Sequence, residues 1–154
     1  MGDRSTPAAS AASARRDTPV SVLGLDHLNL RVADLEKSIA FYGGVLGMRE
    51  VKRNTRADGT VSLVALRAGN CVVFLQPSPG YKAPADDKDS GLDHYSLEIE
   101  AHDPAALADY LRQRGVEIVT GPAKRWGGHG DGTSIYVRDP DGHEVELKQY
   151  NLGG

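Results

Sequence analysis

The feature that most constrains this chain is an internal repeat. Gly24-Leu25-Asp26-His27-Leu28-Asn29-Leu30 recurs as Gly91-Leu92-Asp93-His94-Tyr95-Ser96-Leu97, so that His27 becomes His94 at an offset of 67. A second echo sets Asp58-Gly59-Thr60 against Asp131-Gly132-Thr133 at an offset of 73. Carried forward without gaps, that register places Gly69 opposite Gly142, Val73 opposite Glu146 and Gln76 opposite Gln149. Self-similarity at such a spacing is the mark of a duplicated supersecondary unit, which must bury its apolar face against its twin.

Both halves run through the same local signals. After the alternating stretch at His27, Asp34 precedes LEKSIAFYGGVLG, whose Leu35, Ile39, Tyr42 and Leu46 recur at helical spacing, with Gly43-Gly44 as the weak point. In the second half Asp103-Pro104 starts AALADYLRQRG and Gly115 ends it. Strands follow: VSLVALRAG and NCVVFLQ in the first half; EIVTG, TSIYVRD and HEVELKQY in the second. Turn signals stand at Ala57-Asp58-Gly59, Ala68-Gly69-Asn70 and Asp139-Pro140-Asp141-Gly142. The expected fold is α+β: two βαβββ modules, about 23–80 and 90–151, related by a pseudo-twofold axis around an open-sheet cavity. Together they form a single domain over 20–154. Residues 1–19, rich in Ala, Ser and Arg without periodicity, read as a disordered tail.

The repeat singles out candidate ligands. His27 and His94 hold the same place in the two modules, and Glu146 lies on the last strand of the second. Two imidazoles and one carboxylate suit one divalent first-row ion with open positions, Fe(II) first and Mn(II), Zn(II) or Ni(II) as alternatives. Val73, aligned with Glu146, cannot ligate; a slipped alignment would make Gln76 a fourth ligand. Asn29 and Ser96, two residues beyond each histidine, share its strand face and are expected to line the substrate cavity.

A formal net charge of −3 carries no footprint for nucleic acid or an anionic membrane. No apolar run reaches the roughly 18 residues of a membrane span. The single cysteine, Cys71, excludes an intrachain disulfide and a cysteine zinc site and fits a reducing, cytoplasmic setting.

The stretches LDHLNLRVADLEKSIAFYGGVLGM, LDHYSLEI and SIYVRDPDGHEVEL, in this order over about 23–150, resemble the vicinal oxygen chelate superfamily, which unites glyoxalase I, bleomycin-resistance proteins and extradiol dioxygenases. The resemblance implies paired modules, a metal that chelates vicinal oxygens of a small molecule, and homodimers. Gly127-Gly128-His129 followed by Ile135-Tyr136-Val137 is similar to the extradiol pattern and implies that His129 and Tyr136 are catalytic donors to an iron-bound substrate. No histidine lies between His27 and His94, so that Tyr81, water or the substrate would move the proton. Extradiol ring cleavage is the first expectation. A glyoxalase-like lyase or isomerase, or a fosfomycin-type thiol transferase, is the second, and a metal-free drug-sequestering protein the third.

Overall fold

A computed structural model describes residues 19, 20, 22–84, 90–101 and 103–150. The expected tail falls almost wholly on residues 1–18, outside the described residues. Among these residues, eight strands and two helices follow the duplicated order: β1 (His27–Val32), α1 (Leu35–Ile39, continued by a wider π-helical stretch Ala40–Val45), β2 (Glu50–Thr55), β3 (Val61–Ala68), β4 (Cys71–Pro77), β5 (Tyr95–Glu98), α2 (Pro104–Gln113), β6 (Ile118–Gly127), β7 (Gly130–Arg138) and β8 (Glu144–Gln149). They form two four-stranded mixed sheets, β1-β4-β3-β2 and β5-β8-β7-β6. In each, the first strand pairs parallel with the last and the rest are antiparallel. This is the expected pair of βαβββ modules.

Caps set where the helices begin. Asp34 accepts a hydrogen bond from the Lys37 amide at 3.1 Å and Asp103 from the Ala105 amide at 2.9 Å, while Pro104 occupies the first turn, where no N–H is needed. The first helix widens over the stretch containing Gly43-Gly44, where the Leu46 amide reaches back to the Phe41 carbonyl at 3.0 Å. The glycines thus relax the helix without ending it, and both Phe41 and Tyr42 stay buried. Strand β2, EVKRNT, is exposed and polar along nearly its whole length, which is why alternation gave no sign of it; as an edge strand it needs no second apolar face.

Alternation decides the faces elsewhere. Leu30, Val32, Val73 and Leu75 of the first sheet and Ile135, Val137, Val145 and Leu147 of the second point inward, where they join Tyr42 and Leu111 from the helices in one continuous core. The Asp-Pro-Asp-Gly turn after β7 also ties the modules together: Asp141 accepts from the Ala33 amide at 2.8 Å, and Asp139 accepts from the Tyr42 hydroxyl at 2.6 Å. The Tyr42 hydroxyl also hydrogen-bonds that of Tyr95. Burial, then neighbouring Tyr95 and the Asp139 carboxylate, holds the Tyr42 phenol protonated well above its ordinary range, and burial raises Tyr95 likewise.

Candidate functional site

The strand faces turned away from the core carry the candidate residues. On the first sheet these are His27, Asn29, Phe74 and Gln76; on the second, His94, Ser96, Glu146 and Lys148. The ladder pairs Asn29 with Phe74 and Ser96 with Glu146, so the first module's counterpart of Glu146 is Phe74 rather than Val73, which lies in the core at 1% exposure. The echo that set the register explains the difference. Asp58-Gly59-Thr60 lies in the turn before β3, whereas Asp131-Gly132-Thr133 lies inside β7, so the two do not correspond: the ladders match Ala65 with Tyr136 at an offset of 71 and Phe74 with Glu146 at 72. Gly69 and Gly142 still match as left-handed turn residues, with φ of 54° and 92°. Gln76 stands opposite Arg31 on the His27 face and accepts from the Asn29 amide at 3.1 Å, in the place that Lys148 fills in the second module.

Each histidine is gripped by the aspartate before it. Nδ1 of His27 lies 2.6 Å from Asp26 and Nδ1 of His94 lies 2.6 Å from Asp93. Donation from Nδ1–H fixes the neutral tautomer and leaves Nε2 as a bare lone pair, the arrangement that orients imidazole toward a metal. The repeated Leu-Asp-His contained this signal, since the aspartate is duplicated with the histidine.

Nε2 of His94 faces Oε2 of Glu146 at 3.3 Å. Glu146 is 6% exposed, and its other oxygen, Oε1, accepts from Ser134 at 2.5 Å and from the Lys148 ammonium at 3.3 Å. Burial pushes the Glu146 carboxyl up, but the hydrogen bonds from Ser134 and Lys148 and the Lys148 charge outweigh it, and the net direction is down. Two acceptors thus confront one another, which only a shared proton or a cation reconciles. The donor chemistry fits a first-row divalent ion.

Tyr136 joins this pair. It stands opposite Glu146 in the ladder and meets the His94 ring edge-on with centroids 5.3 Å apart. Burial and the Glu146 charge raise its phenol, against an opposing pull from Arg125, so the hydroxyl remains a proton donor. His129 sits at the far end of the same face, with Nε2 3.4 Å from Glu98 and its ring edge-on to Tyr150. Ser96 adjoins Glu146 on the exposed face of β5.

His27 stands apart from His94 and Glu146. Its ring stacks on Phe74 with centroids 4.5 Å apart, and among the described residues no three His, Cys, Asp or Glu side chains lie close enough to share an ion. Asn29, Tyr81 and His94 border a cleft of about 280 Å³ between the modules, where Tyr81 stacks on His143.

The fold and this face define the class. A family model for the glyoxalase/bleomycin resistance protein/dioxygenase superfamily matches residues 24–147, and the chain belongs to that family. A lactoylglutathione lyase of Salmonella typhimurium is 31% identical, covering 79% of this chain and 88% of that protein. The glutathione transferase FosA of Serratia marcescens is 33% identical, covering 80% and 78%. The structure of the trypanothione-dependent glyoxalase I of Leishmania major superposes with a TM-score of 0.63 at 26% identity, covering 83% of this chain and 87% of that one. No helix among the described residues is long and apolar enough to cross a membrane.

Proposed function

We propose that this protein is a divalent-metal-dependent enzyme acting without oxygen on a small, oxygen-bearing molecule together with a low-mass thiol, as a lyase or thiol transferase. The observation that carries the reading is the 3.3 Å approach of His94 Nε2 to Glu146 Oε2, each oriented from behind by its own partner. Thiol chemistry takes precedence over extradiol cleavage because the relatives' names, lactoylglutathione lyase, glutathione transferase and trypanothione-dependent glyoxalase, all specify a thiol cosubstrate.

His94 and Glu146 would hold the ion, with His27 of a second copy as the third donor. His27 has the same aspartate-fixed tautomer and a free Nε2, yet stands apart from the pair within its own chain. Exposed Val22, Leu23 and Leu25 precede His27, and exposed Leu92 precedes His94, so each half-site is bordered by apolar surface that a second copy would cover. Phe74, stacked on His27, supplies no donor in the place that Glu146 fills in the second module. When bound, the ion supplies Lewis acidity to substrate oxygens. Tyr136 donates its proton-bearing hydroxyl to a substrate oxygen as negative charge develops, Ser96 lines the cavity beside Glu146, and His129 closes the far end of the face.

The test is to strip the protein with chelator, reload it anaerobically with Fe(II), Mn(II), Zn(II) or Ni(II), and assay each form. The assays are methylglyoxal with glutathione, fosfomycin with glutathione, and catechols with oxygen. Turnover with a thiol substrate and no oxygen uptake is expected. Oxygen uptake with ring opening would replace this reading with the dioxygenase, and failure to bind any of the four ions would replace it with metal-free sequestration.

A further inference from the structure

Lys148 is 3% exposed, on the strand that carries Glu146 and two residues beyond it, so both side chains leave the same face. Its three ammonium protons are all used. They meet the Arg125 carbonyl at 2.9 Å, the Ser134 hydroxyl at 3.0 Å and Glu146 Oε1 at 3.3 Å. Held on three sides by its own chain, the ammonium has no open direction in which to meet a substrate. What remains is its effect on the carboxylate.

That effect is one-sided. Ser134, opposite Lys148 in the ladder, accepts from the ammonium and donates to Oε1, so both groups hold one oxygen of Glu146 and leave Oε2 turned to His94. The surrounding chain makes room for the lysine at some cost to its own freedom: a Cβ at Gly127 would come within 2.4 Å of Lys148 Cε and 2.5 Å of the Tyr150 hydroxyl. The first module has neither the acid nor the cation. Phe74 and the neutral Gln76 fill the two places. Burying an ion pair is a poor source of stability compared with apolar packing, so its presence only beside the acid asks for another account.

We infer that Lys148 and Ser134 form a clamp that positions Glu146 for the metal, locking Oε1 so that Oε2 is presented to the ion beside His94. This rests on the metal reading above. Lys148 and Ser134 are positioning residues, and outer partners of this kind typically change metal affinity by about 10- to 100-fold.

The experiment compares the wild type, Lys148→Met, Ser134→Ala and the double variant. Affinity for Mn(II) is read by competition with a chromogenic chelator, and ligand geometry by the visible spectrum of the Co(II)-loaded protein. Methionine keeps a long stem beside Gly127 and removes only the ammonium. Lys148→Met is expected to weaken Mn(II) about 10- to 100-fold and to change the Co(II) spectrum. Ser134→Ala should weaken it less, and the double variant should lose less than the product of the two, because both groups act through one oxygen. Unchanged or tighter binding in Lys148→Met, with a wild-type spectrum, overturns the clamp and leaves the metal reading intact. A wild type that takes up no ion overturns both. If Lys148→Met does not fold, Ser134→Ala decides the matter: a wild-type affinity and spectrum there overturn the clamp.

Discussion

On the outward face of the first sheet an imidazole lies flat against Phe74; at the matching place on the second sheet an imidazole faces Glu146. The strand that leads each module is nearly the same in both, down to the aspartate 2.6 Å from Nδ1. The difference lies in the strand paired beside it. Phe74 and Gln76 in β4 have become Glu146 and Lys148 in β8, and Ala65 of β3 has become Tyr136 of β7. A duplicated scaffold has thus kept two oriented histidines while placing the acid, its counter-ion and the phenol in one copy. An ion that needs all three ligands must draw on one module of each kind.

Removing the feature that is present in one module alone should have the largest effect. Tyr136→Phe supplies the second module with a ring but no donor, and kcat should fall about 10²- to 10³-fold while the Mn(II) affinity holds. A rate within a few-fold of wild type would mean that the hydroxyl faces no developing charge, and Tyr136 would then differ from Ala65 only in bulk.

The shared feature gives the sharper test. Asp93→Asn should weaken Mn(II) about 10- to 100-fold by loosening His94, and Asp26→Asn should do the same through His27 if both rings bind one ion. Titration of each variant with Mn(II), followed by electron paramagnetic resonance, reads the two effects side by side. Loss in Asp93→Asn with none in Asp26→Asn would confine the ion to the second module and break the composite site.

The smallest effect concerns the helices. Tyr42 of α1 is buried like Leu111 of α2, but it alone carries a hydroxyl, bonded to Asp139 across the module boundary. Tyr42→Phe leaves the carboxylate without that donor and should cost about 1–3 kcal/mol, measured by urea denaturation. The pH dependence has a definite sign. Tyr42 and Tyr95 are held protonated in the fold above their ordinary value, so their contribution to stability is present below about pH 10, where the unfolded chain's tyrosines are also neutral, and is lost as pH rises beyond it. Tyr42→Phe should therefore flatten the alkaline fall in stability; an unchanged slope would assign that fall to other groups.

Much of this was legible in the residues. The repeat, the Asp34 and Asp103 caps and the alternation in VSLVALRA, CVVFLQ and EVELKQ yielded two βαβββ modules, because those signals are local and each strand must turn one apolar face inward. The same alternation put Asn29 beside His27 and Ser96 beside His94. Strand β2 escaped because a polar edge strand has no alternation to read, and the wide turn in α1 because glycines permit a π-helical stretch without announcing one.

Pattern alone therefore determined the modules, the paired histidines and the faces on which Asn29 and Ser96 stand. The tertiary structure alone decided which residue lies across from which. A repeat echo that falls in a turn of one module and inside a strand of the other moved the counterpart of Glu146 from Val73 to Phe74, and pairing between β7 and β8 set Tyr136 opposite the carboxylate and brought Ser134 and Lys148 onto it. The physical reason is reach: side-chain alternation is set by bonds within a strand, whereas register depends on turn length and on hydrogen bonds between strands that the linear order does not record.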